Sequence, residues 1–279
     1  MKPVKPMTWK PEGSAAQMHG IADYEFVRPL GSGNNGRFFL ARRPQRLPVD
    51  VEYVAVKVLS AESTDTAFRR AVRELTAFST VQSPHLVAPF DAGQQDGSFY
   101  YSMEYFPAGS LAAPAQPVTT AEALRAVADA ARAAAALHAA GIVHRDLKPG
   151  NVLLHPQGGK LSDLGLAQVF AEGVTITGMG PLDSVEYIDP AVLMGGRSVP
   201  ATDVWSLGVM LHRVVAGTGV HGDLPAGDGL LALRRVLSVP PQLSDRLPGP
   251  VAALVRDCLA PAGERPSAAT VATRIDGLA

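Results

Sequence analysis

The segment His144-Arg145-Asp146-Leu147-Lys148-Pro149-Gly150-Asn151 brings a carboxylate, an ammonium and a carboxamide together on a stretch that Pro149 stiffens. Asp163 follows twelve residues after Asn151, in the triplet Asp163-Leu164-Gly165. Together these side chains supply a base for a hydroxyl proton, a cation for phosphate oxygens and two oxygen ligands of the kind Mg²⁺ prefers. Upstream, Lys57 follows the apolar run Val54-Ala55-Val56. A buried ammonium needs an anion, and Glu74 is a candidate; a solvated lysine at a strand edge is the other reading. Further upstream stands Gly31-Ser32-Gly33-Asn34-Asn35-Gly36, a G-x-G-x-x-G in which the absent Cβ atoms let backbone approach phosphate oxygens. A strand follows it instead of a helix, which counts against a dinucleotide-binding turn and leaves an ordinary glycine-rich hairpin as the alternative.

These groups need elements to hold them. Phe26, Val27 and Leu30 lead into the glycines, and Phe38, Phe39 and Leu40 lead out, so the cluster lies between two strands. Residues 51–59 and Phe99 to Tyr105 also read as strands. Residues 64–80 read as a helix with Phe68, Val72, Leu75 and Phe78 on one face and Ser63 or Thr64 at its start. Beyond the loop at 106–110 the character changes. Thr119 or Thr120 caps a long Ala-rich helix ending near Gly141, and helices follow at 203–216, 228–238, 250–259 and 267–278. A mostly β portion followed by a mostly α portion predicts a bilobal α+β architecture, since a doubly wound sheet needs alternating βα units throughout.

Composition bounds the function. The 279 residues carry 25 basic and 26 acidic side chains, a net charge of −1, which argues against a nucleic-acid binder. A hydrophobic share of 47% excludes a disordered chain. The lone Cys258 excludes a disulfide framework and points to a reducing compartment. No stretch reaches the roughly 18 apolar residues of a membrane helix, and residues 1–20 lack the apolar core of a signal peptide. A cytoplasmic protein with a mobile N-terminal arm at 1–20 is the expectation.

With these residues in view, the sequence resembles a eukaryotic-like serine/threonine protein kinase of the bacterial type over about residues 24 to 278. The Gly-rich loop, Val54-Ala55-Val56-Lys57, the segment 144–151, Asp163-Leu164-Gly165 and Asp203-Val204-Trp205-Ser206-Leu207-Gly208 occur in that family's order. The resemblance implies a small lobe (about 21–105) of a five-stranded antiparallel sheet plus one helix. A hinge at about 104–110 and a larger, mostly helical lobe (111–278) follow. It implies ATP and Mg²⁺ (or Mn²⁺) as cofactors and transfer of the γ-phosphoryl group to Ser/Thr hydroxyls of proteins. Asp146 is then the catalytic base, Lys148 neutralises the moving phosphoryl group, and Lys57 pairs with Glu74 and holds the α/β-phosphates. Asn151 and Asp163 ligate the metal. Leu30, Gly31, Ser32, Gly33, Asn34, Asn35, Gly36, Phe38, Ala55, Lys57, Met103, Glu104, Phe106 and Leu153 surround ATP, with Met103 as gatekeeper. Ser184 lies in the peptide-binding loop. Arg145 implies regulation by phosphate on the segment 163–190, where Thr175 and Thr177 resemble paired autophosphorylation sites. Tyr100 and Tyr101 read as plain core packing.

Several positions depart from the pattern. Phe38 stands where valine usually covers adenine, Leu164 where phenylalanine is usual, and Asp189-Pro190-Ala191 where Ala-Pro-Glu is usual. Ala191 removes the carboxylate that pairs with an arginine near the C-terminus, here Arg265, so Arg265 must be partly solvated or find another acceptor such as Asp189 or Glu264. Asp203 has two readings, a support for the backbone of the 144–151 loop and an N-cap of its own helix. Cys258 reads as a core thiol, and His85, His155, His212 and His221 lack metal-site spacing. Two rival functions stand beside the kinase: a small-molecule phosphotransferase, and a pseudokinase that binds ATP as a scaffold. Retention of Lys57, Asp146, Asn151 and Asp163 weighs against the scaffold.

Overall fold

A computed structural model describes residues 20–33, 36–59, 65–163, 182–225 and 228–278. The N-terminal arm, Asn34, Asn35, Leu164, Thr175 and Thr177 lie outside the described residues, as does the side chain of Ser184. The first lobe is an antiparallel sheet of β1 (Gly20–Ile21), β2 (Tyr24–Gly33), β3 (Gly36–Arg42), β4 (Tyr53–Leu59), β5 (Pro89–Gln95) and β6 (Ser98–Glu104). Its order is β1-β2-β3-β4-β6-β5. Six strands stand where five were expected, because the two residues of β1 fold back on Tyr24 and Glu25 and extend the edge.

Strand alternation sorts this sheet into two faces. Phe39, Ala41, Val54, Val56, Val58 and Tyr100 pack with Tyr24 on the outer side. Ala55, Leu59, Phe99, Tyr101 and Met103 turn the other way and join the core that continues into the second lobe. Helix α1 (Asp65–Ser79) closes this inner side with Ala71, Leu75 and Phe78. A glycine is required where β3 crosses β4. A Cβ at Gly36 would lie 2.8 Å from the Val58 carbonyl oxygen and 3.3 Å from Lys57 Cε.

The second lobe is built on two helices with almost no polar side. Helix α2 (Thr120–Ala139) begins with a capping box: Glu122 N donates to Thr119 Oγ1, and Thr119 N donates to Glu122 Oε2. Its alanines 126, 128, 130, 131, 133 and 134 are fully buried, and small side chains let neighbouring segments come close. The hairpin β7 (Val152–His155) and β8 (Gly158–Leu161) lies against it. The short helix α3 (Pro190–Leu193) leads to α4 (Pro200–Ala216), whose residues Thr202 to His212 are buried without a break. Then come α5 (Gly229–Ser238), α6 (Gly249–Cys258) and α7 (Ala268–Asp276). At Gly208 a Cβ would stand 2.5 Å from Cys258 Cβ, so only glycine admits this approach of α4 and α6. Cys258 is fully buried as expected of a core thiol, and burial pushes its thiol up to about 12.

Helix α4 starts at Pro200, three residues earlier than the sequence pattern placed it, and its N-cap is Val199. Asp203 is therefore inside the helix, and the capping reading fails.

Candidate active site

The loop carrying Asp146 is held from below. Asp203 Oδ2 accepts the His144 backbone N–H at 2.8 Å and Asp203 Oδ1 accepts that of Arg145 at 2.9 Å. His138 Nε2 lies 2.7 Å from Oδ2. Arg145 sits at φ 71, a left-handed conformation costly for a side chain with a Cβ, and the two bonds from Asp203 offset that strain. The loop-supporting reading of Asp203 is thus the one its geometry matches. His144 is completely buried, and its Nε2 lies 3.1 Å from the Ser162 carbonyl. Burial holds this imidazole below its ordinary range, so the neutral ring donates from Nε2 to Ser162 O. Ser162 in turn gives its N–H and hydroxyl to the Asn151 carbonyl, at 2.8 and 3.1 Å. These contacts bring Asp163 beside Asn151 although twelve residues separate them.

On this support the side chains form one connected cluster. Lys148 Nζ lies 2.9 Å from each oxygen of Asp146. Asn151 Nδ2 donates to the Asp146 carbonyl oxygen at 2.7 Å and to its Oδ2 at 2.9 Å. The carboxamide nitrogen is thereby committed to Asp146, which leaves the amide oxygen as the atom able to coordinate a cation. Across the cleft Lys57 Nζ is 2.5 Å from Asp163 Oδ2, with both side chains about nine-tenths buried. Lys57 also lies over the Phe38 ring, 4.9 Å from its centroid, so the residue that departs from the usual valine covers the ammonium. Burial would raise Asp163, but the Lys57 charge and the hydrogen bonds from Lys57 and Tyr101 outweigh it and hold the carboxyl below its ordinary value.

Two expectations need correction here. Lys57 does not pair with Glu74: its anion is Asp163, and Glu74 Oε1 lies 3.7 Å from Arg145 Nη1. One carboxylate already in contact meets the need of a single buried ammonium, while Arg145 offers Glu74 a half-exposed cation. Nor is Tyr101 plain packing. Its hydroxyl donates to Asp163 Oδ1, and burial, then the Asp163 charge, push its ionisation well above the ordinary tyrosine range. Tyr100, one residue before, does lie in the outer core, edge-on to Tyr24 at 5.8 Å. The missed signal was alternation: Tyr101 is two residues before Met103 and so shares its face.

Above the cluster a cleft of about 1240 Å³ is lined by Leu30, Gly31, Ser32, Phe38, Ala55, Met103, Glu104, Phe106 and Leu153, with Lys148, Asn151 and Asp163 at its floor. Gly33 and Gly36 end β2 and begin β3 just beyond the lining residues Gly31 and Ser32, and Gly31 takes φ 146. The slot is apolar with backbone polar groups at one edge, as a planar heterocycle requires. The linker forming that edge is braced from the second lobe, since Lys160 Nζ on β8 lies 3.0 Å from Glu104 Oε2 and over the Phe106 ring. The cleft continues past Lys148 to Glu186, Tyr187, Arg213 and Leu224. Arg213 Nη2 and Nε hold Glu186 Oε1 at 2.6 and 2.8 Å.

Below the cleft the missing carboxylate at position 191 has been replaced. Arg265 Nη1 donates to Asp189 Oδ2, and both side chains are at most 5% exposed. Arg265 also donates to the carbonyls of Ala260 and Ala201, at 2.7 and 2.8 Å, and lies over the Trp205 ring. Of the two alternatives read from the sequence, Arg265 found another acceptor and is not solvated.

Residues 24–271 match the family model described as the protein kinase domain. The chain is 36% identical over 247 residues to serine/threonine-protein kinase PknJ of Mycobacterium tuberculosis, covering 84% of this chain and 41% of that protein. It is 31% identical over 200 residues to serine/threonine-protein kinase PrkC of Bacillus subtilis, covering 70% of this chain and 30% of that protein. It therefore spans less than half the length of these relatives. In fold it is similar to the crystal structure of the Mycobacterium tuberculosis PknI kinase domain, with a TM-score of 0.69, 24% identity, and coverage of 94% of this chain and 99% of that one.

Proposed function

The chain belongs to the protein kinase family, and from that premise we propose that it transfers the γ-phosphoryl group of ATP to serine and threonine hydroxyls of proteins. The observation that carries this reading is the continuous cluster Lys148–Asp146–Asn151 facing Lys57–Asp163 across one cleft. Asp146 and Lys148 are two residues apart, so a hydroxyl reaching the carboxylate meets the ammonium beside it. Asp146 accepts the hydroxyl proton, and Lys148 sets a positive charge where phosphoryl oxygens gather. Lys57 neutralises phosphate oxygens deeper in the cleft. The Asp163 carboxylate and the Asn151 amide oxygen are hard donors, few in number and open to the cleft, which fits Mg²⁺ bound jointly with nucleotide phosphates. Held by Asp163 and Asn151, such an ion would neutralise charge on the phosphates.

The domain reading we adopt is a catalytic unit over 21–278 with its hinge at about 104–110, acting in the cytoplasm. No helix among the described residues is long and apolar enough to cross a membrane. The continuation of the cleft to Glu186, Tyr187 and Arg213 favours an extended polypeptide acceptor over a small molecule. The test is incubation with γ-labelled ATP and Mg²⁺ in the presence of casein, myelin basic protein or an aminoglycoside. Label recovered as phosphoserine or phosphothreonine is the expected result. Label on the aminoglycoside alone, or on nothing, overturns the reading.

Regulation through Thr175 and Thr177 extends the same reading. Arg145, adjacent to Asp146, is engaged with Glu74 at 3.7 Å. A phosphate on either threonine competes with Glu74 for that guanidinium and ties the segment bearing it to the loop of Asp146. A Thr175→Ala/Thr177→Ala double variant should lose at least about tenfold in rate, the worth of one charge-assisted contact of roughly 1.5 kcal/mol. Undiminished activity of that variant, measured after preincubation with ATP, sinks this part.

A further inference from the structure

One buried hydroxyl, in contact with Asp163, has been given no part in the reaction. Tyr101 on β6 faces Lys57 on β4, and Lys57 faces Phe38 on β3, so all three side chains leave the sheet on one side. Tyr101 is 4% exposed, and its phenol donates to Asp163 Oδ1 while Lys57 takes Oδ2. Each oxygen of this carboxylate thus has its own donor, supplied from adjacent strands of a rigid sheet. With Lys57 alone, Asp163 could turn about its side-chain bond and follow the mobile end of the lysine. With two donors its plane is fixed, while each oxygen keeps a second lone pair. The backbone alone gives little help, because Asp163 sits at φ 65, where a non-glycine residue is strained and needs its surroundings to hold it.

We infer that Tyr101 is a positioning residue for the divalent cation, orienting the Asp163 carboxylate toward the metal through the hydrogen bond to Oδ1. This rests on the reading of Asp163 as a metal ligand. The sheet is then more than a roof over the nucleotide: the strand that bears Met103 also sets the angle at which a ligand from the opposite lobe meets the ion. A phenol suits the task. It is long enough to span from β6 to Asp163, rigid enough to fix the distance, and neutral, so it adds no charge to compete with the cation. Losing an outer-shell partner of a metal ligand typically weakens the metal by 10- to 100-fold.

The test measures Mn²⁺ bound to the full chain in the presence of a non-hydrolysable ATP analogue, by the electron paramagnetic resonance signal of the free ion. Tyr101→Phe keeps the ring and removes the donor. It should weaken Mn²⁺ binding about 10-fold or more and raise by the same factor the Mg²⁺ concentration needed for half-maximal phosphoryl transfer. At saturating metal its kcat and its affinity for the analogue should lie within about twofold of the wild type. The melting temperature without nucleotide, measured alongside, reports whether each variant is folded. Asp163→Asn serves as the reference: it should lose Mn²⁺ binding altogether. If Asp163→Asn binds Mn²⁺ like the wild type, the metal-ligand reading itself fails. If Asp163→Asn loses the ion and folded Tyr101→Phe binds it as well as the wild type or tighter, that reading stands and the role given to Tyr101 is overturned.

Discussion

Asp146→Asn should lower kcat for phosphoryl transfer by about 10²–10⁴-fold, the range that a positioned general base contributes, while KM for ATP stays within about twofold. The substitution changes no volume and leaves an oxygen that can still accept from Asn151 Nδ2. It takes away the negative charge and the basic lone pair that face an incoming hydroxyl. Lys148 loses its bidentate partner at 2.9 Å, but that ammonium is 14% exposed at its side chain and adjoins the cleft, where phosphate oxygens replace the carboxylate when nucleotide binds. The nucleotide slot proper, from Leu30 and Ala55 to Leu153, does not involve Asp146, which is why ATP affinity should hold. A loss of about 10²–10⁴ in kcat corresponds to roughly 3–5 kcal/mol in the barrier. Single-turnover kinetics with labelled ATP and a protein acceptor will measure it. Retention of more than a tenth of the wild-type rate removes Asp146 from the base role and throws weight on positioning alone.

How much of this site could be read from residue order differs from group to group, for physical reasons. The groups of the 144–151 loop are legible because one short loop must present them together, so type and spacing are constrained at once. The bilobal plan is legible too, since period-2 segments give way to helical ones near residue 106. The extra edge strand β1 is not: two residues carry no periodicity, and only their pairing with Tyr24 and Glu25 defines them. Ion-pair partners are the hardest case. Lys57 needs an anion on energetic grounds, yet the choice between Glu74 and Asp163, which stand 17 and 106 residues away, depends on where α1 and the triplet come to rest. Asp203 offered two roles of equal chemical merit, and only the start of α4 at Pro200 excludes the cap. Tyr101 shows the opposite failure, since its face was deducible from Met103 but its aromatic character invited a core assignment. For Arg265 the sequence left solvation and several acceptors open, Asp189 and Glu264 among them, and packing brought it to Asp189, on the same short turn as the missing glutamate, and to the carbonyls of Ala260 and Ala201.

That compensating pair should dominate stability. Asp189→Ala removes one partner of a pair in which both side chains are at most 5% exposed, and an uncompensated buried charge of this kind costs about 3–5 kcal/mol. The Asp189 carboxylate has a second duty, since Oδ1 accepts the Ala191 N–H at 2.9 Å and starts α3, which adds about 1 kcal/mol. For a domain of this size each kcal/mol is worth roughly 2–4 °C, so the melting temperature should fall by about 8–24 °C. The identity of the cause can be checked in the same experiment. If the damage comes from the stranded guanidinium, then Asp189→Ala combined with Arg265→Met should be more stable than Asp189→Ala alone, because an apolar chain of similar length fills the site without a charge and still packs against Trp205. Recovery should be incomplete, since the carbonyls of Ala260 and Ala201 lose the donors they have in Arg265. A single variant that melts within a degree of the wild type, or a double variant no more stable than the single, shows that Asp189 does not substitute for the carboxylate missing at Ala191.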